Sequence, residues 1–221
     1  MLVTPAVARI LPFGIYIGFL AIESSVPEAG IGFDVRWLYA IKVVCVVVAL
    51  ALLWNRFSEL ASLRGVSVLD WTLTVVIGVV IFVLWIVLDQ PWAMLGKPSG
   101  WVPTGADGQI NYALVAVRLA GAAIVVPVME ELFWRSLVMR WIRNPDFLNV
   151  VPRQVGAWAL LLSSALFALE HHQWLAGLIA GLAYAGIYMR SGNLWTATIA
   201  HAITNLLLGL WVLYTAQWQF W

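Results

Sequence analysis

Seven apolar runs, separated by short polar stretches, constrain the fold of this 221-residue chain more than any other feature. A helix that crosses a bilayer needs roughly 20 mostly apolar residues. We predict spans over residues 10–22, 37–54, 69–88, 112–129 running on towards 143, 156–170, 174–189 and 194–215. The first run is the weakest, and its helix could begin nearer Val3. The sequence therefore predicts an all-α, polytopic membrane helical bundle of about seven transmembrane helices, forming a single integral membrane domain over residues 1–221.

The composition supports a membrane protein and excludes other classes. Hydrophobic residues make up 63% of the chain and charged residues 10%, whereas a soluble domain is about half apolar and a quarter charged. The formal net charge of +1 excludes a nucleic-acid partner, which requires a basic face. High hydrophobicity excludes intrinsic disorder. Cys45 is the only cysteine, so an internal disulfide and a cysteine-based zinc site are excluded.

The distribution of arginine and lysine predicts the orientation of the bundle, because short cytoplasmic loops are enriched in these residues. Alternate stretches on one side carry Arg9, Arg56, Arg64, Arg140, Arg143, Arg153 and Arg190. The opposite side carries Arg36 and Lys97, with Lys42 just inside the next run. We therefore predict a cytoplasmic amino terminus. Arg9 and the apolar run after it resemble a signal peptide, but no small-residue cleavage site follows, which favours an uncleaved span.

Ionisable side chains interrupt the apolar background of the second half of the chain. They are Arg118, Glu130, Glu131, Arg135, Glu170, His171 and His201. A charge at the bilayer centre costs about 2.5–3.5 kcal/mol, so these residues must either pair or line a wet functional cavity. Glu131 precedes Arg135 by four residues, the favourable order for a structural ion pair on a helix. Glu130 lies about 100° around the helix from Glu131, so the arginine cannot easily serve both. An unpaired glutamate is a candidate general base.

Two histidines and an asparagine complete the candidate site. His171 and His201 lie on different predicted helices, and counting residues from the helix ends places both of them, with Glu130, inside the bilayer. A lone histidine on an apolar helix is usually a hydrogen-bonded core residue, but two beside an acidic pair favour a shared site. Asn205 follows His201 by one helical turn, so both could donate hydrogen bonds to a developing oxyanion. An interhelical hydrogen bond is the structural alternative for Asn205.

Three short motifs carry a resemblance to a known family. Glu130–Arg135 has the form EExxxR, Phe167–His171 has the form FxxxH, and His201–Asn205 has the form HxxxN. In this order on hydrophobic helices, with the Gly-Asn-Leu-Trp run at 192–195, they resemble the CAAX-protease and bacteriocin-processing family of intramembrane glutamic endopeptidases. The resemblance covers residues 112–205, the predicted catalytic-motif core.

Other segments are similar to one branch of this family. Residues 36–40, 170–175 and 217–221 resemble the bacterial branch that accompanies exosortase systems. The resemblance therefore implies a multi-pass protein of the bacterial inner membrane, embedded in the lipid bilayer. It also implies an endopeptidase that acts on a peptide or protein substrate, such as an exported or sorted protein.

The resemblance also implies roles for individual residues. Glu130 matches the family's catalytic glutamate, and His171 matches its partner in activating water. His201 and Asn205 match the pair that stabilises the oxyanion. Glu131 and Arg135 complete the first motif, and the resemblance implies a supporting role for both. No metal and no other cofactor is implied.

Two alternatives remain open at the level of the sequence. Glu130, His171 and His201 are acceptable zinc ligands, so a zinc-dependent membrane peptidase is the first, although the chain lacks the HExxH spacing. The second is a non-catalytic membrane scaffold or immunity-type protein, in which the polar residues would serve assembly. A transporter is disfavoured because the polar groups cluster in one half of the chain, without a matching set in the other.

Overall fold

The computed structural model describes most of the chain. The described residues are 3–23, 25–26, 33–96, 100–105 and 108–221. Lys97, which contributed to the predicted orientation, lies outside these ranges.

The described residues form seven helices in the regions where the sequence predicts them. They are α1 (Pro5–Glu23), α2 (Leu38–Leu53), α3 (Val68–Val87), α4 (Tyr112–Arg143), α5 (Ala157–Ala168), α6 (Trp174–Ser191) and α7 (Leu194–Thr215). Within the described ranges the one β feature is an isolated bridge between Thr104 and Ile110. The predicted all-α helical bundle is confirmed.

The helices differ in their capacity to cross a membrane. Among the described residues, five are long and apolar enough: α1, α2 with its flanking turns, α3, α4 and α7. The apolar α5 has only 12 residues, and α6 has 18 residues that include Arg190. The chain is a multi-pass membrane protein in which α5 and α6 pack against each other.

Two helix boundaries differ from the sequence prediction. The first helix begins at Pro5 rather than residue 10, because proline is well suited to a first turn, where its missing N–H has no partner to lose. The predicted helix 156–170 ends instead at Ala168. Glu170 and His171 form backbone hydrogen bonds to carbonyls three residues back, at 3.3 and 3.1 Å, which tighten the chain into a turn. The prediction that His171 lies on a helix is therefore wrong.

A buried ion cluster joins α1 to α4 at one end of the bundle. The Glu59 carboxylate forms ion pairs with Arg9 Nη2 at 2.5 Å and with Arg140 Nη2 at 2.5 Å. The Ser136 hydroxyl also contacts this carboxylate. Burial alone would raise the pKa of the Glu59 carboxyl, but hydrogen bonds and positive charge from Arg9, with the Ser136 hydroxyl, hold that pKa below its ordinary value. Arg9 is a buried member of this cluster rather than a free loop charge.

Each end of the bundle contains the loop stretches that the distribution of arginine and lysine assigned to one side. At the arginine-rich end, beside this cluster, Arg190 Nε lies 2.7 Å from Asp70 Oδ1, and Arg153 Nε donates to the Arg190 carbonyl at 3.0 Å. At the opposite end, Arg36 Nη1 donates to the carbonyl of Val102 at 3.0 Å. The opposite end also contains the carboxyl-terminal segment, because Trp101 N donates to Trp221 O at 3.3 Å.

Close contact between α3 and α7 fixes the helix that carries two of the candidate site residues. A Cβ at Gly78 would lie 2.8 Å from the Ala200 carbonyl oxygen and 2.8 Å from Ile203 Cβ. The missing side chain allows Thr204 Oγ1 to donate to the Gly78 carbonyl at 2.9 Å. Glycine is thus required here by the approach of two backbones.

We expect Gly78→Ala to destabilise the protein, because its methyl group would push α7 away from α3. Overpacking of this kind costs about 1–3 kcal/mol. The measurement is the thermal unfolding midpoint in detergent. Gly14→Ala on α1 is the matched control, since a Cβ there meets nothing within 4 Å and alanine favours the helix. Equal midpoints for the two variants would contradict the close-contact explanation.

Candidate active site

The catalytic-motif core begins on α4, whose backbone departs twice from regular α-helical hydrogen bonding. Residues Gly121–Val125 and Leu132–Met139 are π-helical and flank the α-helical stretch Val126–Glu131. In a regular α-helix, side chains four residues apart point in progressively different directions around the helix axis. A π turn rotates the backbone less per residue and offsets this change of direction. As a result, Arg118 and Glu130, with the residues at 122 and 126 between them, line one wall of a cavity.

This cavity brings the predicted site residues together. It has a volume of about 250 Å³ and is lined by Glu130, His171, His201 and Asn205, which come from α4, the turn after α5, and α7. The sequence permitted a shared buried site, and the structure forms one. Whether these side chains are catalytic is not decided by their placement and stays a prediction.

Glu130 and Glu131 have different environments, as their angular separation suggested. Glu131 is fully buried, and its Oε2 lies 3.1 Å from Arg135 Nε, so the predicted ion pair is present. Glu130 is 9% exposed. No described residue forms a hydrogen bond with its buried Oε2 atom. Glu130 also lines the cavity, where a substrate or a water molecule can approach its carboxyl group.

Glu131 makes a second contact, which sequence reasoning missed. Its Oε1 lies 3.0 Å from His201 Nδ1. Because an ionised carboxylate can only accept hydrogen bonds, His201 Nδ1 carries a proton, and Nε2 is the ring nitrogen that remains for the cavity. The ring of Tyr184 stacks on His201 with centroids 5.0 Å apart. Glu131 therefore orients the histidine in addition to pairing with Arg135.

His171 is oriented by its own motif. Its Nδ1 lies 2.9 Å from the Phe167 carbonyl oxygen, four residues back. Because a carbonyl can only accept, Nδ1 carries the proton, and the neutral ring presents Nε2 as an acceptor. The rings of Phe167 and Trp85 pack against it at centroid distances of 4.6 and 5.4 Å. The FxxxH spacing thus provides both the carbonyl that fixes the tautomer and a packing wall.

Asn205 is held by a backbone atom that proline leaves unpaired. In the first π segment the Val126 N–H donates to the Gly121 carbonyl, and Pro127 has no N–H to offer. The Ala122 carbonyl instead accepts from Asn205 Nδ2 at 2.8 Å. The interhelical hydrogen bond that the sequence left as an alternative is therefore present. An amide nitrogen carries two hydrogens, so one remains for another acceptor.

Several lining residues had no predicted role. Aromatic side chains complete the walls, among them Tyr16, Tyr39, Tyr184 and Trp221. In an apolar sequence they cannot be distinguished from core residues or from interfacial anchors. Arg118 was recognised as an intramembrane charge, but neither a motif nor a spacing assigned it to this cavity.

Comparison with known proteins gives one family match. The model of one family, described as type II CAAX prenyl endopeptidase Rce1-like, matches residues 112–207. No curated protein and no solved structure gives a significant match to the chain. The matched stretch contains all three motifs and all four cavity residues that the sequence singled out. The match therefore supports the CAAX-protease and bacteriocin-processing family, and with it a membrane-embedded protease of CAAX type.

Proposed function

We propose that this protein is an intramembrane glutamic endopeptidase that hydrolyses a peptide bond with water activated by Glu130 and His171. The observation that supports this most is the position of Glu130, which forms no ion pair among the described residues and lines the same cavity as His171. A buried carboxylate and a neutral imidazole are both proton acceptors, as general-base catalysis requires. The family match, which implies a peptide substrate, agrees with this chemistry.

The proposed reaction begins when Glu130 takes a proton from a water molecule that also donates to His171 Nε2. The water oxygen attacks the peptide carbonyl carbon, and the carbonyl oxygen becomes an oxyanion. Glu130 then delivers its proton to the amide nitrogen as the carbon–nitrogen bond breaks. The products are a carboxylic acid and an amine, and no covalent acyl-enzyme forms.

His201 and Asn205 would stabilise the oxyanion. The remaining N–H of the Asn205 amide supplies one hydrogen bond. His201 can donate from Nε2 while Nδ1–H contacts Glu131 only if the ring is protonated at both nitrogens. The Glu131 carboxylate lies 3.0 Å from Nδ1 and orients the ring. Glu131 would thus support catalysis through His201 without touching the substrate.

We expect His201→Ala and Asn205→Ala each to lower the turnover rate by roughly 10²–10³-fold, the usual loss for one oxyanion donor. Turnover should fall more than substrate binding, because these hydrogen bonds strengthen only in the transition state. The measurement is the separate determination of kcat and KM. His172→Ala is the matched control, since that exposed histidine contacts Leu95 and lies outside the cavity. An effect confined to KM would contradict the oxyanion role.

A zinc-dependent peptidase remains the rival mechanism. Within the described residues, no group of three or more histidine, cysteine, aspartate and glutamate side chains is arranged to hold a metal ion. The proposal uses no metal. Loss of activity on chelation, restored by added zinc, would support a zinc-dependent mechanism instead of the proposed one. A non-catalytic scaffold would instead keep its cellular phenotype in a Glu130→Gln strain.

We also propose that the protein resides in the bacterial inner membrane with its arginine-rich end in the cytoplasm. A reporter fused after Arg143 should then be cytoplasmic, and one within residues 91–109 should be external. The segregation of basic residues to one end of the bundle supports this orientation. The opposite result at both positions would reverse it and place the opposite end of the bundle in the cytoplasm.

For the substrate, we propose an exported or sorted protein, in keeping with the resemblance to the exosortase-associated branch. The decisive comparison is between the membrane proteome of a deletion strain and that of a Glu130→Ala strain. A substrate should accumulate uncleaved in both. A protein that accumulates only in the deletion strain would depend on the presence of the chain rather than on its catalysis.

A further inference from the structure

Arg118 presents a guanidinium group that no other part of the described chain neutralises. Each of the ion pairs of the described residues uses other cations, and no described residue accepts a hydrogen bond from this side chain. Arg118 is half-buried on α4 and lines the cavity that contains Glu130. An unpaired charge within a membrane-spanning helix is costly, which indicates that an anionic group pairs with it during function.

Two aromatic rings hold this guanidinium in place. Its central carbon lies 4.6 Å from the Tyr39 ring centroid and 5.0 Å from the Trp101 ring centroid. The Tyr39 hydroxyl also donates to the Arg118 carbonyl at 3.3 Å. Cation–π contacts of this kind restrict the position of a guanidinium without using its N–H groups. The group is therefore preorganised for an incoming acceptor.

Arg118 borders a second, smaller cavity as well as the first. Arg118 and Tyr39 line both the catalytic cavity and a cavity of about 140 Å³ towards the opposite end of the bundle. The carboxylate of Glu23 also lines the smaller cavity, but Lys42 Nζ contacts it at 2.9 Å. Arg36, the other arginine that lines it, pairs with Asp34 at 2.7 Å. Arg118 is therefore the cation without an ion-pair partner among the described residues that line these two cavities.

We propose that Arg118 is a subsite for a carboxylate of the peptide substrate, and the peptide nature of that ligand rests on the proposed function. A planar guanidinium binds a carboxylate through two parallel hydrogen bonds. Glu130 follows Arg118 by twelve residues on α4, a rise of at most roughly 18 Å at the α-helical value of about 1.5 Å per residue, since the π segment Gly121–Val125 between them is more tightly spaced along the axis. An extended peptide covers about 3.3 Å per residue. The carboxylate therefore lies within about five residues of the cleaved bond.

Binding of peptide libraries to the full-length protein in lipid nanodiscs tests this subsite. The protein carries Glu130→Gln, so that hydrolysis does not deplete the ligand. Three acetylated ten-residue libraries, otherwise free of acidic residues, differ in one group: a free carboxyl terminus, a carboxamide terminus, or a carboxamide terminus with one internal aspartate. Retained peptide is quantified by mass spectrometry. Arg118→Gln removes the charge, Arg118→Lys keeps the charge without the fork, and Arg64→Gln removes an exposed charge elsewhere.

We expect at least about tenfold greater retention of one carboxylate library over the fully amidated one, because hydrogen bonds between charged groups are stronger than those between neutral groups. A preference for the free terminus identifies an α-carboxylate, and a preference for aspartate identifies an acidic side chain. Arg118→Gln should remove the preference, Arg118→Lys should retain part of it, and Arg64→Gln should retain all of it.

Two results would overturn the subsite. One is equal retention of the three libraries by the Glu130→Gln protein, including no retention of any. The other is an unchanged preference in folded Arg118→Gln protein, with folding checked by its thermal unfolding midpoint. Cleavage by the Glu130→Gln protein would refute the proposed function instead, and it leaves the carboxylate preference measurable with a non-hydrolysable peptide backbone.

Discussion

Replacing Glu130 by alanine should remove nearly all peptide hydrolysis, and replacing His171 as well should cost little more. The two side chains are proposed to act on one water molecule, and residues that act as a unit show strongly non-additive losses. Positioned general bases contribute roughly 10²–10⁴-fold in rate, so each single variant should lose activity on that scale. Both residues line one cavity, and the Nδ1 of His171 is already engaged by the Phe167 carbonyl, which leaves Nε2 as its acceptor.

The measurement is single-turnover cleavage by the purified full-length chain in nanodiscs, with and without chelator. Asp146→Asn is a suitable control, because that exposed carboxylate lies in a turn at the arginine-rich end and contacts Asn149. Serine-directed and thiol-directed inhibitors should have no effect, since the reaction forms no acyl-enzyme. Full activity of the Glu130→Ala protein would end the glutamic-peptidase proposal. Losses that simply multiply in the double variant would show that the two residues act separately.

Glu131→Gln should have the largest effect on stability, although its charge lies one residue from Glu130. It would leave Arg135 buried without its anion, and loss of one partner of a buried ion pair costs about 3–5 kcal/mol. The same change weakens the contact with His201, which is 4% exposed. Glu130→Gln should spare folding, because Glu130 forms no ion pair among the described residues.

Folded yield by size-exclusion chromatography and thermal unfolding in detergent would compare the two glutamine variants. A combined Glu131→Gln and Arg135→Gln variant should recover part of the loss, since it removes the unpaired cation. Equal yields together with equal residual activities of the two single variants would contradict this division between a structural and a chemical glutamate.

The sequence predicted contacts within a helix better than contacts between helices. The Glu131–Arg135 pair follows from a spacing of four residues on one helix. The contact between Glu131 and His201 joins residues 70 positions apart, and no periodicity encodes such a distance. In the sequence, the order of the three motifs was the one indication that Glu131 and His201 lie near the same site. Their direct hydrogen bond depends on how α4 packs against α7.

The end of α5 shows a second reason for error. Apart from two serines, the residues from Ala157 through Leu169 are apolar, so hydrophobicity gives no sign that the helix stops at Ala168. The backbone tightens there through hydrogen bonds to carbonyls three residues back. After this turn, the Gln173 side chain donates to the Trp85 carbonyl on α3 at 2.9 Å. His171 consequently lies in a turn beside the cavity. A contact of this kind with a distant helix is a tertiary effect that local propensity does not report.

Pro127 lies outside the positions that carry the family resemblance, yet it links two of them mechanically. Its ring nitrogen bears no hydrogen, so the carbonyl of Ala122 bonds across to Asn205. Pro127 on α4 thereby determines the orientation of the Asn205 side-chain amide on α7. A shift of one helix along the other would therefore strain this bond together with the one between Glu131 and His201, so the glutamate motif and the asparagine motif are held in register at two points.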